Sequence, residues 1–359
     1  MTTIAKIAQL SDFHFTANLA NKGRAFYKRP FLFMKAKGHD ISKVARLYQK
    51  IEKLERADGK FDLMLATGDL STDGSRKAIM NALDFMREGE LRNGSSRAVT
   101  RGLNAGETRR ILLPGNHDRF TRAWVGFQKP GTFFEETLGI PTQYPYVVGY
   151  RREGVPNVPD QPAVLFFVFD STPSIFAQIR RPWRRLARGR LEVGDLDTFL
   201  YQANKMFPNG SVKALDGTDM NVRYSNCVRV AVLHHHPMDG DSLTLMENHE
   251  AFVQYCFRAG IDLVLFGHEH KEYSFTKPGV SELPVLGAHH EVHLFCCPSA
   301  SEYSSENGFY TFEFDEVSIQ FCFYKWNDEA CDFISGGLDF YDMFRPGPRQ
   351  RFNLARPLA

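Results

Sequence analysis

Five short apolar runs in this chain end alike, each in a small cluster of Asp, Asn or His. Residues 4–10 run into Ser11-Asp12-Phe13-His14, and residues 61–66 into Thr67-Gly68-Asp69. Residues 110–113 run into Pro114-Gly115-Asn116-His117-Asp118, residues 227–233 into His234-His235-His236-Pro237, and residues 261–266 into Gly267-His268-Glu269-His270. Apolar runs this short, bounded by turn-forming residues, read as buried strands. Between them lie stretches with helical period. In residues 41–55 the apolar positions Ile41, Val44, Leu47, Tyr48, Ile51 and Leu54 recur every three or four residues, with Asp40 placed to cap them. Residues 75–88, 193–206 and 247–258 read as further helices. Strand-like runs also occur at 163–169, ending in Asp170-Ser171, and near 292–297, 308–314 and 317–325. Apolar strands alternating with amphipathic helices predict an α/β sheet structure covered on both faces.

In such sheets ligands bind outside the carboxyl ends of the strands. Five strand ends carrying Asp, Asn and His therefore converge on one place. Each cluster alone has an ordinary reading: Asp12-x-His14 a loop, Gly68-Asp69 a turn and helix cap, Asn116-His117-Asp118 a cap, Gly267–His270 a surface loop. Together, in this order, they predict a metal site. Imidazole, carboxylate and amide oxygen without thiolate suit Mn, Fe or Zn and argue against a structural zinc knuckle. Seven candidate ligands, one of them a carboxylate able to bridge, predict two ions. Two ions about 3.5–4 Å apart clamp the attacking and leaving oxygens of a phosphoryl displacement, and a water between them becomes the nucleophile.

The rest of the chain fits a soluble enzyme. Its 359 residues are 43% apolar and 24% charged, ordinary values for a globular protein. A net charge of +2 argues against a dedicated nucleic-acid binder. No apolar stretch is long enough to span a bilayer, and the N-terminus lacks the pattern of a secretory signal, so a cytoplasmic location is expected. Six cysteines without CxxC spacing predict reduced, buried thiols. The sequence predicts one domain over residues 1–330 with cap insertions near 15–40, 119–160 and 172–226. Residues 89–108 read as a mobile surface loop and 331–359 as a loosely ordered tail.

The blocks DFH (12–14), GD (68–69), GNHD (115–118), HHP (235–237) and GHEH (267–270) resemble, in order, those of calcineurin-like metallophosphoesterases. The resemblance spans about residues 4–315. It implies a four-layer α/β/β/α sandwich, two mixed sheets face to face with helices outside. Carried over position by position, it implies that Asp12, His14 and His270 bind one metal, that Asn116, His235 and His268 bind the second, and that Asp69 bridges. His117 would stabilise the transition state or protonate the leaving alkoxide, and Asp118 would hold its ring. The family block ends in His-x-Pro, which selects His235; along an extended strand His234 and His236 would then point away.

The GDLSTDGS and GNHDRF blocks depart from the GDxVDRG and GNHE patterns of the protein-phosphatase branch, and the pattern looks most like bacterial class III cyclic nucleotide phosphodiesterases. The resemblance thus implies hydrolysis of a small phosphodiester or nucleotide-type substrate. The alternatives are a lipid-linked or nucleotide pyrophosphatase, a nuclease, and a non-catalytic binding module. Two basic segments bear on the substrate: residues 175–190, with six arginines around Trp183, and residues 25–37. Each is a solvated face, a cap that grips phosphates, or a surface that touches an anionic membrane peripherally.

Overall fold

The structure is a computed structural model that describes residues 3–19, 24–26, 35–87, 89–93, 97–119, 133–141, 143–172, 188–237, 245–271, 273–279, 290–302, 306–315, 318–336 and 350–353. Two mixed sheets form its frame. Across the first, the strands run Asp332–Gly336, Ser318–Asn327, Gly308–Phe314, Ala5–Leu10, Leu63–Ala66 and Arg110–Leu112, and Gln350–Asn353 also pairs with Ser318–Asn327. Ala5–Leu10, Leu63–Ala66 and Arg110–Leu112 are parallel, and the remaining pairs are antiparallel. The second sheet runs Tyr273–Gly279, His290–Cys296, Leu263–Phe266, Cys227–Val232, Ala163–Val168 and Tyr146–Tyr150. Its four inner strands are parallel and its edges antiparallel.

The layering follows from the period of two along each strand. Ile7, Leu63, Leu65 and Ile111 of the first sheet meet Val164, Phe166, Val168, Val230, Val232, Leu263 and Leu265 of the second in one buried cluster. The alternate residues Ala8, Leu10, Met64 and Ala66 turn outward to Val44, Leu47, Ile51, Ile79 and Leu83 on the helices Ile41–Asp58 and Arg76–Met86. Leu165, Phe167, Ala231, Val264 and Phe266 turn the other way, to Phe199, Ala203, Phe252 and Cys256 on Val193–Met206 and His249–Ala259. Helix, sheet, sheet, helix is the result, as expected from the resemblance. Asp40 caps the first helix through Ser42 N at 2.9 Å. Among the described residues no helix is long and apolar enough to cross a membrane.

Three expectations need correction. Residues 89–108 are not simply a loop: Glu90–Asn93 and Arg97–Arg101 form a hairpin, anchored by Leu91, Leu103 and Ala105 in the outer core. The sheet continues past residue 330, because Asp332–Gly336 and Gln350–Asn353 both pair with Ser318–Asn327, and Phe333 is buried. Pairing with an existing strand orders segments whose own composition signals nothing. Five cysteines are buried as expected, but Cys331 is exposed in the turn before residue 332. Within the expected insertions, Arg24–Phe26 pairs with Lys35–Lys37, and Asn209–Lys213 with Asp219–Arg223. Residues 27–34 and 173–187, which hold most of the two basic segments, lie outside the described residues.

Candidate metal centre

Every cluster singled out in the sequence lies where a strand of one of the two sheets ends. The loops are stitched together by backbone hydrogen bonds: Asp12 N to Gly68 O (3.0 Å), His14 N to Asp69 O (3.0 Å) and Gly267 N to His234 O (3.0 Å). Close approach requires glycine. A Cβ on Gly115 would lie 2.4 Å from the backbone nitrogen of Asp69, and one on Gly267 would lie 1.9 Å from Ser11 Oγ.

Two groups of donors result. In the first, His270 Nε2 lies 3.1 Å from Asp12 Oδ1 and 3.2 Å from His14 Nε2. In the second, His234 Nε2 lies 3.2 Å from Asn116 Oδ1 and 3.2 Å from His268 Nδ1. Asp69 stands between them, with Oδ2 3.9 Å from His14 Nε2 and 3.4 Å from His234 Nε2. Asp12, His14, Asp69, His234 and His235 are all buried.

The backbone at this site is strained. Seven described non-glycine residues have left-handed φ, and five of them are Asp12, His14, Asp69, His268 and His270. Such conformations cost about 1–3 kcal/mol each and persist where the surroundings over-determine them, characteristically at functional sites.

The charges are equally unbalanced. Burial would raise Asp12 and Asp69, but the surrounding imidazoles, His270 for Asp12 and His234 for Asp69, hold both below the usual carboxylate range. Burial would lower His270 and His234; the Asp12 carboxylate pushes His270 up to about 10, and Asp69 pushes His234 up to about 9. Burial and a neighbouring imidazole drive His14 down to about 4 and His268 down to about 3. The carboxylates thus demand positive charge that the residues alone supply only as protonated imidazole. Bound cations would supply it and release those protons, and imidazole nitrogens facing one another at 3.2 Å would become shared ligands. The donor set fits metal.

Two placements differ from the sequence reading. His234, expected to point away, turns its Nε2 to Asn116, Asp69 and His268, while its Nδ1 lies 2.8 Å from Thr67 O. The strand ends at Val232 and the chain bends at 234–235, so alternation no longer applies. His235 also lies at the site, within 4.8 Å of His234 and His268 by ring nitrogens. Its Nδ1 is 2.9 Å from Ser171 Oγ.

The second difference is Asp118. Its carboxylate accepts hydrogen bonds from Leu70 N (3.0 Å), Ser71 N (2.7 Å), Ser71 Oγ (2.8 Å) and Gly115 N (3.0 Å). It joins the second block to the third and does not hold the His117 ring, because these four donors occupy both of its oxygens. Burial and the nearby Asp69 push it up to about 6. The His117 ring is held instead by the carbonyl of Thr72, 2.8 Å from Nδ1, and stands edge-on to His14 with ring centroids 4.9 Å apart.

The sequence reading also passed over Glu302, a buried carboxylate whose Oε2 lies 2.6 Å from His270 Nδ1. Its neighbourhood, Ser301-Glu302-Tyr303, carries no recognisable motif. Ser171 was passed over too, although it stands at a strand end like the blocks themselves.

A model of the calcineurin-like phosphoesterases matches residues 5–272. No curated protein matches the chain. Solved structures that resemble it include GAP50, the anchor in the inner membrane complex of Plasmodium, at 12% identity and TM-score 0.49, covering 98% of this chain and 90% of that one. A predicted phosphoesterase from Streptococcus pneumoniae is 11% identical with TM-score 0.34, covering 98% and 99% of the two chains. A purple acid phosphatase from yellow lupin seeds is 9% identical with TM-score 0.41, covering 99% of this chain and 54% of that one. At these values the structural likenesses add no argument to the family match.

Proposed function

The chain belongs to the calcineurin-like phosphoesterase family, and from that premise we propose that it hydrolyses phosphodiesters at a centre of two metal ions. The observation that carries this reading is the position of Asp69 between two donor groups. One group is Asp12, His14 and His270; the other is Asn116, His268 and His234, with His234 in the place the sequence reading gave to His235. Mn, Fe and Zn all suit these donors. Two such ions when bound polarise the phosphoryl group and lower the pKa of water.

The protein's own residues supply the rest. Asp69 orders the third block by accepting from His117 N at 2.8 Å. A carbonyl only accepts, so Thr72 fixes the proton on His117 Nδ1, and the proton that passes to the leaving oxygen is the one at Nε2. Support for a diester over a monoester comes from Arg119. This arginine ends the third block but is fully buried and held by Glu135 and by Asp170 at 2.6 Å, so its charge is committed away from a phosphoryl dianion.

Hydrolysis of an aryl phosphodiester and its monoester by protein reconstituted with Mn, Fe or Zn tests the reading. The diester is expected to be the better substrate with at least one metal. Preference for the monoester with every metal would move the protein to the phosphatases.

A further inference from the structure

Ser171 Oγ accepts from His234 N at 3.3 Å and from His235 N at 3.1 Å. A hydroxyl has two lone pairs and one proton. Both lone pairs are taken, so the proton goes to the remaining neighbour, His235 Nδ1, at 2.9 Å. Nδ1 is then an acceptor, and the neutral ring carries its own proton on Nε2. A protonated nitrogen has no lone pair to give a cation.

That Nε2 is buried and makes no hydrogen bond among the described residues. The ring lies against His268 and His234, with centroids 4.6 and 4.9 Å away. Gly189 closes its other side: a Cβ there would come within 2.3 Å of His235 Cβ, so the ring has no room to swing back. A buried donor left without a partner costs about 1–3 kcal/mol, so the N–H has a partner when the site is filled. Beside a metal centre for phosphoesters, the acceptor of matching chemistry is an anionic oxygen.

We propose that His235 is not a metal ligand but a hydrogen-bond donor, its Nε2–H directed to a phosphoryl oxygen bound at the centre, and that Ser171 fixes the tautomer that makes it one. The proposal rests on the phosphoesterase reading above. It also explains why adjacent histidines can share one block: His234 offers a lone pair, and His235 offers a proton.

The test uses metal-loaded full-length protein, with inorganic phosphate as the probe. Metal content is measured by elemental analysis and phosphate affinity by calorimetry for the parent, His235→Ala and His235→Gln. Both variants are expected to keep the parent's metal-to-protein ratio. His235→Ala should bind phosphate about 10- to 100-fold more weakly, the worth of one hydrogen bond to a charged group. His235→Gln, whose amide N–H reaches a similar point, should recover most of that loss. Loss of a metal equivalent from both variants would make His235 a ligand and overturn the proposal, as would unchanged phosphate binding by His235→Ala. If His235→Ala does not fold, Ser171→Ala takes its place: metal retained with weaker phosphate binding supports the role, and unchanged phosphate binding overturns it. A parent that takes up no metal overturns the phosphoesterase reading itself, and the role of His235 with it.

Discussion

The carbonyl oxygen of Thr72 lies 2.8 Å from His117 Nδ1, so a backbone group, not the neighbouring Asp118 carboxylate, orients the one histidine of the third block. A carbonyl fixes the tautomer without adding a charge. Donation to a leaving alkoxide suits that arrangement.

His117→Ala should therefore keep its metal and lose turnover by about 10²–10⁴-fold, the usual worth of a general acid. Elemental analysis alongside steady-state kinetics checks this. Metal lost in proportion to activity would make His117 a ligand.

Asp118 carries a different expectation. It accepts four hydrogen bonds while fully buried, and it ties Gly115 to Leu70 and Ser71. Asp118→Ala leaves those donors without a partner and should destabilise the fold by about 3 kcal/mol or more, taking the cost of unsatisfied buried groups. Denaturant unfolding of the parent and variant measures the difference. A variant as stable as the parent but inactive would return Asp118 to a direct role at His117.

The contrast between these two residues shows what was legible in the sequence. Which residues meet at the centre could be read from strand ends, because sheet topology gathers carboxyl ends whatever the side chains do. How each side chain is oriented could not. Asp118 and His117 are adjacent in a turn, and His234 and His235 follow a strand that has just ended. In both places the period of two stops one residue too early to be extrapolated. The roles of Ser171 and Glu302 were illegible for another reason: they depend on contacts with residues 64 and 32 positions away. The helices were legible because each buries one periodic face, and the inner strands because burial on both faces leaves continuous apolar runs. The edge strands Tyr146–Tyr150 and Tyr273–Gly279 and the strands after residue 330 were not, since pairing rather than composition orders them.

Glu302 is expected to act through His270. Its carboxylate accepts from His270 Nδ1, an arrangement that fixes the tautomer and strengthens the other nitrogen as a ligand. Glu302→Gln keeps the shape and removes the charge. It should weaken metal affinity by about 10- to 100-fold, with turnover at saturating metal changed far less. Competition with a metal indicator measures the affinity. Unchanged affinity would reduce Glu302 to a packing residue.

Stability far from the centre turns on Arg229 and Asp262. The pair is buried between strand and turn, with Arg229 Nε and Nη2 at 3.0 and 2.7 Å from the Asp262 carboxylate, which also accepts Arg229 N at 2.8 Å. Burial opposes the arginine's charge, and Asp262 more than offsets that, raising Arg229 above its usual range. Removing one partner strands the other charge in the core. Asp262→Ala should therefore cost about 3–5 kcal/mol, whereas Arg229→Met combined with Asp262→Leu should recover much of the loss, since apolar replacement of a buried pair is often neutral or stabilising. Denaturant unfolding of Arg229→Met, Asp262→Leu and the double variant gives the coupling directly. Additive losses in the double variant would mean that the backbone bond to Arg229 N, and not the ion pair, is what Asp262 contributes.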